Sequence, residues 1–146
     1  MTLAKELNTS IEINAPANIV WEVLTDFSSY DQWNPFIRSV SGEVKQNGKL
    51  EVCVQPPGGS GMTFRPVIVN IQPERELRWI GRLLLPGLFD GEHQFQLEPF
   101  GQNQTRLIHR EVFSGLLVPL LWRDLDTKTR QGFEEMNHAL KKRVEG

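Results

Sequence analysis

The spacing of apolar residues changes three times along the chain, and each change marks a different kind of element. Ile11 and Ile13 alternate with polar residues, which predicts a first strand over 10–14. Two short helices are predicted next, the first beginning near Pro16 and the second limited by Pro35 to about one turn. The apolar residues at helical spacing in this stretch are Ile19, Val20, Val23, Leu24, Phe27, Tyr30, Trp33 and Phe36.

From residue 37 to residue 113 the apolar period is two, which predicts a run of strands. Turn signals separate these strands, among them Asn47-Gly48, a dipeptide typical of hairpins, and the loop 56–61 with its prolines and glycines. With the first strand, the pattern predicts about seven antiparallel strands. The six later strands are predicted over 37–44, 49–54, 62–71, 76–82, 88–97 and 105–113.

After Gly115 the spacing returns to three or four residues and predicts a helix over 119–144, roughly 39 Å long at 1.5 Å per residue. Because this helix is the main cover of the sheet, the sheet must curl around it to bury its inner face. The sequence therefore predicts an α+β helix-grip fold: a curved antiparallel sheet around a long C-terminal helix. The helix residues expected to face the sheet are Leu125, Phe133, Met136 and Leu140.

The middle of the helix's apolar stripe is not bulky, because Thr129 and Gly132 lie between Leu125 and Phe133. A glycine inside a helix costs about 1 kcal/mol relative to alanine, so its presence needs a structural reason. We expect a gap between helix and sheet at this point, and hence an internal cavity. The alternative is that Gly132 lets the helix and its neighbours pack closely.

Composition narrows the function classes. The 146 residues carry a net charge of −2, which gives no basis for binding nucleic acid or anionic lipid through charge. The length favours one domain over 1–146. Cys53 is the single cysteine, so an internal disulfide and a cysteine-based zinc site are excluded. The polar N-terminus and the lack of an apolar run near the roughly 20 residues of a membrane span lead us to expect a soluble, cytoplasmic protein.

Three polar side chains are predicted on the inner faces of the last two strands. His93 on one strand, and His109 and Glu111 on the other, share their faces with apolar residues. A hairpin folded about Gly101 places His93 opposite His109 and Gly91 opposite Glu111. A register shift of two residues keeps all of these side chains on the inner face.

Two explanations of this polar group remain open. Buried His and Glu side chains cost free energy unless they are paired or line a wet cavity. They either contact a bound ligand, which we favour, or form a hydrogen-bonded pair in the core. A metal site of two histidines and one carboxylate is geometrically conceivable, but no metal-binding spacing supports it, so we expect neither a metal nor a cofactor.

A series of short motifs extends over almost the whole chain. They are Val20-Trp21-Glu22-Val23-Leu24-Thr25-Asp26 after Ala15-Pro16-Ala17, Tyr30-Asp31-Gln32-Trp33-Asn34-Pro35-Phe36, Leu77-Arg78-Trp79-Ile80-Gly81-Arg82, Gly91-Glu92-His93-Gln94-Phe95, His109-Arg110-Glu111-Val112-Phe113-Ser114-Gly115-Leu116 and Gly132-Phe133-Glu134-Glu135-Met136-Asn137. In this order the chain resembles the SRPBCC, or START-like, superfamily, and within it the bacterial polyketide cyclase/dehydrase-like branch. The resemblance implies a helix-grip fold with its site in the internal cavity. It does not specify a function, because this superfold carries lipid transfer proteins, hormone receptors and cyclases alike.

The leading functional hypothesis is binding or carriage of a small hydrophobic or aromatic molecule in the cavity. One alternative is a cyclase- or dehydratase-type enzyme in which His93 or His109 acts as general acid–base and Glu111 orients it. Another is a protein-interaction module that uses the apolar segments 83–89 and 116–122, the first of which is either a lid or a partner-binding patch. An oligomer is compatible with the sequence, which identifies neither ligand nor reaction. The residues expected to contact a ligand are Trp33, Phe36, Phe64, Trp79, Phe89, His93, Phe95, His109, Glu111, Thr129, Gly132, Phe133 and Met136.

Overall fold

The computed structural model describes residues 4–83 and 85–146. The chain begins with strand β1 (Lys5–Ile13), followed by helix α1 (Ala17–Thr25), a 3-10 turn (Phe27–Ser29) and the one-turn helix α2 (Tyr30–Trp33). Pro16 precedes α1 and its carbonyl accepts hydrogen bonds from the first helical turn. The two short helices predicted after the first strand are therefore present.

Eight strands form two antiparallel sheets in the described part of the chain. After β1 they are β2 (Ile37–Gly42), β3 (Leu50–Val54), β4 (Met62–Phe64), β5 (Val67–Gln72), β6 (Glu76–Arg82), β7 (Asp90–Pro99) and β8 (Thr105–Ser114). One sheet has the order β1-β8-β7-β6-β5, and the other has the order β2-β3-β4. The prediction of about seven strands was one short.

The additional strand arises because the predicted strand over 62–71 is broken at Arg65-Pro66. Proline has no N–H for the ladder, and the chain changes partner there: β4 pairs with β3, whereas β5 pairs with β6. The Pro66 carbonyl accepts a hydrogen bond from the Leu50 amide at 2.9 Å. This bond and the bridge between Lys49 and Val67 join the two sheets. The single antiparallel sheet that was predicted is therefore divided into two sheets that join at this point.

The C-terminal helical region runs from residue 118 to residue 145, close to the predicted 119–144. It consists of α3 (Val118–Asp124), a π-helical turn (Leu125–Thr129) and α4 (Arg130–Glu145). As predicted, Phe133, Met136 and Leu140 are buried, while Leu125 is half-buried and packs against the core. None of the described helices is long and apolar enough to span a membrane.

The gap predicted at Gly132 does not exist, because the Phe36 ring occupies it. A Cβ atom added to Gly132 would lie 2.6 Å from Phe36 Cε1, so the glycine is needed for close packing. The Asn34 side-chain oxygen accepts hydrogen bonds from the amides of Phe36 and Ile37, both at 2.9 Å, and so fixes the backbone beneath the ring. Phe36 then packs edge-on against Phe133, with ring centroids 5.5 Å apart.

Candidate functional site

A cavity of about 550 Å³ lies between the two sheets and the first half of the helical region. Its wall is mostly apolar, with contributions from β2, β3, β4, β6, β7 and β8 and from the turn 125–129. The exposed polar residues Ser60, Asp124 and Lys128 lie at its rim, and His93 and Glu111 line its interior. The π-helical turn contributes Leu125, Lys128 and Thr129, and such turns occur frequently at functional sites.

Seven of the thirteen residues predicted to contact a ligand line this cavity. They are Phe36, Phe64, Trp79, Phe89, His93, Glu111 and Thr129.

The other six lie elsewhere. Phe95, His109 and Phe133 are buried directly behind His93, with Gly132 and Met136 on the same buried face of α4. Trp33 lines a separate cleft with Ala139 and Arg143, and packs edge-on against Tyr30. Inward orientation places a side chain in the core, but only some inward side chains reach the cavity.

His93 lies between Glu111 and His109 in the interior. Its Nδ1 is 3.4 Å from Glu111 Oε1, and its Nε2 is 2.6 Å from His109 Nε2. In the strand register His93 is opposite Glu111 and Phe95 is opposite His109. The predicted pairing of His93 with His109 is therefore wrong by two residues, the shift that keeps all three polar side chains on the inner face.

The polar chain continues from His109 away from the cavity. His109 Nδ1 is 2.8 Å from Asn137 Oδ1, and the Asn137 amide donates to the Thr9 hydroxyl at 2.9 Å. The Thr9 hydroxyl donates to the backbone carbonyl of His109 at 2.8 Å. His93, His109, Asn137 and Thr9 thus form one hydrogen-bonded network from the cavity wall to β1, and Glu111 adjoins it through His93. The network satisfies polar atoms that burial would otherwise penalise.

Asn137 and Thr9 were absent from the predicted site. Asn137 lies on the apolar stripe of α4, between Phe133 and Leu140 at helical spacing, and is 2% exposed. The presence of a polar residue on that apolar stripe is the sequence feature that could have identified Asn137. Thr9 alternates with Leu7 and Ile11 on β1, but the predicted strand began one residue too late to include it.

Aromatic rings hold the two imidazoles in place. The His109 ring stacks on Phe133, with centroids 4.0 Å apart and planes 3° from parallel. Burial is the main cause that lowers the pKa of His109 well below 6.5, and the charge of His93 adds to this, while the hydrogen bond to Asn137 opposes it. His109 is therefore a neutral imidazole in the native protein at neutral pH.

The arrangement suits hydrogen bonding and proton transfer better than metal binding. Across residues 4–83 and 85–146, no group of three His, Cys, Asp or Glu side chains is placed to hold a metal ion. His93 of the network and the adjoining Glu111 line the cavity. They are the pair that a bound molecule would meet.

Two apolar segments meet beside the cavity. Leu83 and Phe89 line it, and so does Leu121 on the other segment. The amides of Leu116 and Leu117 donate to the carbonyls of Gly87 and Leu88 at 3.0 and 2.9 Å. The predicted lid over 83–89 includes Leu84, which lies outside the described residues. Leucines on the outside of these segments are exposed, namely Leu85, Leu116 and Leu120.

Two antiparallel sheets around a long C-terminal helix, with a cavity between them, define a START-like helix-grip protein. The chain belongs to the family described as polyketide cyclase/dehydrase and lipid transport, whose model matches residues 4–145. This confirms the resemblance found in the sequence. Comparison with curated protein sequences finds no significant match.

Solved structures of several proteins share the fold. The Zhui aromatase/cyclase from Streptomyces sp. R1128 superimposes with a TM-score of 0.80 at 16% identity, covering 98% of this chain and 94% of that one. A START superfamily protein from Mycobacterium smegmatis gives 0.74 at 23% identity, with 96% and 97% coverage. Norcoclaurine synthase from Thalictrum flavum, in complex with dopamine and hydroxybenzaldehyde, gives 0.73 at 13% identity, with 98% and 87% coverage. At these identities the likeness establishes the fold.

Proposed function

We propose that this protein binds a small hydrophobic or aromatic molecule in the cavity, with a polar group of that molecule against His93 and Glu111. The observation that carries the proposal is an apolar cavity of about 550 Å³ with the contact between His93 and Glu111 at its inner wall. Small-molecule sites typically enclose about 300–1,000 Å³ and combine an apolar lining with a few placed polar groups.

The comparisons support the same hypothesis. The family description includes lipid transport, and a structural neighbour holds two small aromatic molecules. Trp79, Phe64 and Phe89 give this cavity flat apolar surfaces of the kind that aromatic rings pack against.

The test is binding of a neutral fluorescent probe, N-phenyl-1-naphthylamine, to the purified protein and to a variant with a filled cavity. Val54→Trp places an indole in the cavity, because Val54 lines it. Val69→Trp is the matched control, since Val69 is 38% exposed on β5. We expect saturable binding to the wild type and the control, and at least a tenfold loss in Val54→Trp. Equal binding to all three proteins would contradict the proposal.

A second candidate function is proton-transfer catalysis in the same cavity, favoured by the contact between His93 and Glu111 at its wall. In a dehydration, the pair would give a proton to the hydroxyl oxygen of a bound β-hydroxy ketone as the C–O bond breaks and water leaves. The pair would then regain a proton from the carbon next to the ketone as the C=C bond forms. General acid–base groups contribute about 10²–10⁴-fold to such rates.

This candidate is tested with 4-hydroxy-4-phenylbutan-2-one, whose conjugated enone product is followed by ultraviolet absorbance. Glu111→Gln keeps the shape of the side chain but holds no transferable proton. We expect about a 100-fold lower rate in Glu111→Gln with unchanged probe binding. A rate in the wild type that equals the rate in buffer would reject catalysis of this reaction and leave the binding proposal intact.

A further inference from the structure

We propose that Thr9 and Asn137 are positioning residues that fix the tautomer of His109 and so make His93 the donor across the contact between the two histidines. The inference concerns the ligand-free protein. Its value for a bound molecule rests on the function proposed above, because His93 is the histidine of the two that lines the cavity.

The direction of every hydrogen bond in the network is set at one end by a carbonyl oxygen, which can only accept. The backbone carbonyl of His109 lies 2.8 Å from the Thr9 hydroxyl, so the single proton of that hydroxyl points at the carbonyl. The Thr9 oxygen must then accept from Asn137, which turns the Asn137 NH₂ group toward Thr9 and its oxygen toward His109. An amide oxygen only accepts, so His109 carries its proton on Nδ1.

The tautomer of His109 determines the proton position on His93, because the two rings are in direct contact. A neutral His109 with its proton on Nδ1 has a lone pair on Nε2, so His93 must donate from its own Nε2 across the 2.6 Å contact. The tautomer of His109 thus sets which of the two rings donates. His93 Nδ1 lies 3.4 Å from Glu111 Oε1, beside the cavity.

A network with the opposite donors and acceptors also pairs each donor with an acceptor, but it fits the structure less well. In it Thr9 donates to Asn137, His109 donates from Nε2, and His93 donates from Nδ1 to a bare Glu111 carboxylate. The Thr9 oxygen and the His109 carbonyl would then face each other at 2.8 Å with no proton between them. Two opposed oxygen lone pairs at that distance are unfavourable, so the geometry favours the first direction.

The experiment is nitrogen-15 NMR of the histidine rings in the ligand-free protein at neutral pH, because protonated and unprotonated ring nitrogens have clearly different shifts. The chain has three histidines. His138→Gln removes one set of signals, and the contact between the rings of His109 and Phe133 assigns another. We expect His109 protonated on Nδ1 alone and His93 protonated on Nε2. A His109 protonated on Nε2, or on both nitrogens, would overturn the inference.

Variants test whether Asn137 and Thr9 set this state. In Asn137→Leu, His109 Nδ1 faces an apolar side chain, so we expect the proton to move to Nε2. Met136→Leu is the control on the same buried face of α4 and should leave the tautomer unchanged. A structural role alone would lower stability without moving the proton, so an unchanged tautomer in Asn137→Leu would refute the positioning role.

If Asn137→Leu does not fold, Thr9 provides the test. Thr9→Ser retains the hydroxyl and should keep the wild-type tautomer. Thr9→Val frees the Asn137 amide to turn over, so signals of the Nε2 tautomer should appear. Wild-type signals in both variants would reject the proposal. Because the measurement needs no ligand, failure of the probe to bind would reject the proposed function without affecting this result.

Discussion

Gly91 and Glu111 lie on the paired strands β7 and β8, and the absent side chain of Gly91 leaves the space that the Glu111 carboxylate occupies. A Cβ atom added to Gly91 would overlap Glu111 Oε2 and lie 3.3 Å from its Cδ. Glycine is therefore explained at position 91 by the space that the Glu111 carboxylate needs, and not by an unusual backbone conformation. It lets the carboxylate lie against β7, with Oε1 3.4 Å from His93 Nδ1.

We predict that Gly91→Ala displaces the Glu111 carboxylate and separates it from His93. The atoms that must move are the end of a flexible side chain that lines the cavity, so the unfolding free energy should change by no more than about 0.5 kcal/mol. Binding of a ligand whose polar group meets the pair should weaken. A binding titration and denaturant unfolding measure the two effects.

Gly81→Ala is the matched control for this change. Gly81 pairs directly with Gly91 and also lines the cavity, but its added Cβ would meet Pro66 Cβ at an ordinary 3.7 Å. It should leave binding of such a ligand unchanged. If the two variants weakened binding equally, the specific contact between Gly91 and Glu111 would not be the cause.

Much of the fold followed from periodicity, because a period of two or 3.6 directly reports which residues share a buried face. Alternation placed His93, His109 and Glu111 on the inner faces, which the structure confirms. Alternation cannot fix strand register, because a shift of two residues preserves every inward side chain. The pairing of His93 with Glu111 therefore required the structure.

Other features depend on contacts between residues distant in sequence. Phe36 fills the space above Gly132 although 96 positions separate them, and no local pattern encodes that contact. Thr9 reaches Asn137 across 128 positions in the same way. The change of strand partner at Pro66 is an intermediate case. A proline inside a predicted strand signals a boundary, but its new partner is set by the tertiary fold.

We predict that Gly132→Ala destabilises the protein although alanine favours the helix by about 1 kcal/mol. The added methyl would collide with the Phe36 ring, and the net loss should be about 1–3 kcal/mol in denaturant unfolding. Phe36→Leu in the same chain removes the ring and should recover part of the loss. If the double variant showed simple addition of the two single losses, the collision with Phe36 would be excluded as the cause.

We predict a specific pH dependence of stability from His109. Its pKa is lowered well below 6.5 by burial, so below about pH 6.5 the unfolded chain binds a proton at this site that the native state does not. Stability should therefore fall as the pH drops below about 6.5, by up to about 1.4 kcal/mol per pH unit from this group. Unfolding titrations across this range measure the slope.

His109→Phe should flatten that slope. The phenyl ring keeps the stack on Phe133 but leaves His93 Nε2 and Asn137 Oδ1 without their partner, at about 1–3 kcal/mol for each unsatisfied group. His138→Gln serves as the control, because His138 is exposed and should leave the slope unchanged. A variant slope equal to that of the wild type would mean that other groups set the pH dependence.

Gly115 holds the two apolar segments beside the cavity together, and its replacement should separate them. Its φ of +121° is unfavourable for other residues, and an added Cβ would lie 2.5 Å from the Leu88 carbonyl oxygen, which accepts a hydrogen bond from Leu117. In Gly115→Ala we expect at least tenfold faster hydrogen exchange at Leu117 and faster entry of the probe, because local opening exposes the cavity. Gly58→Ala is the control: its φ of +72° is also positive, but open space surrounds it, so the change should alter neither rate. Unchanged exchange in Gly115→Ala would show that this contact does not control opening beside the cavity.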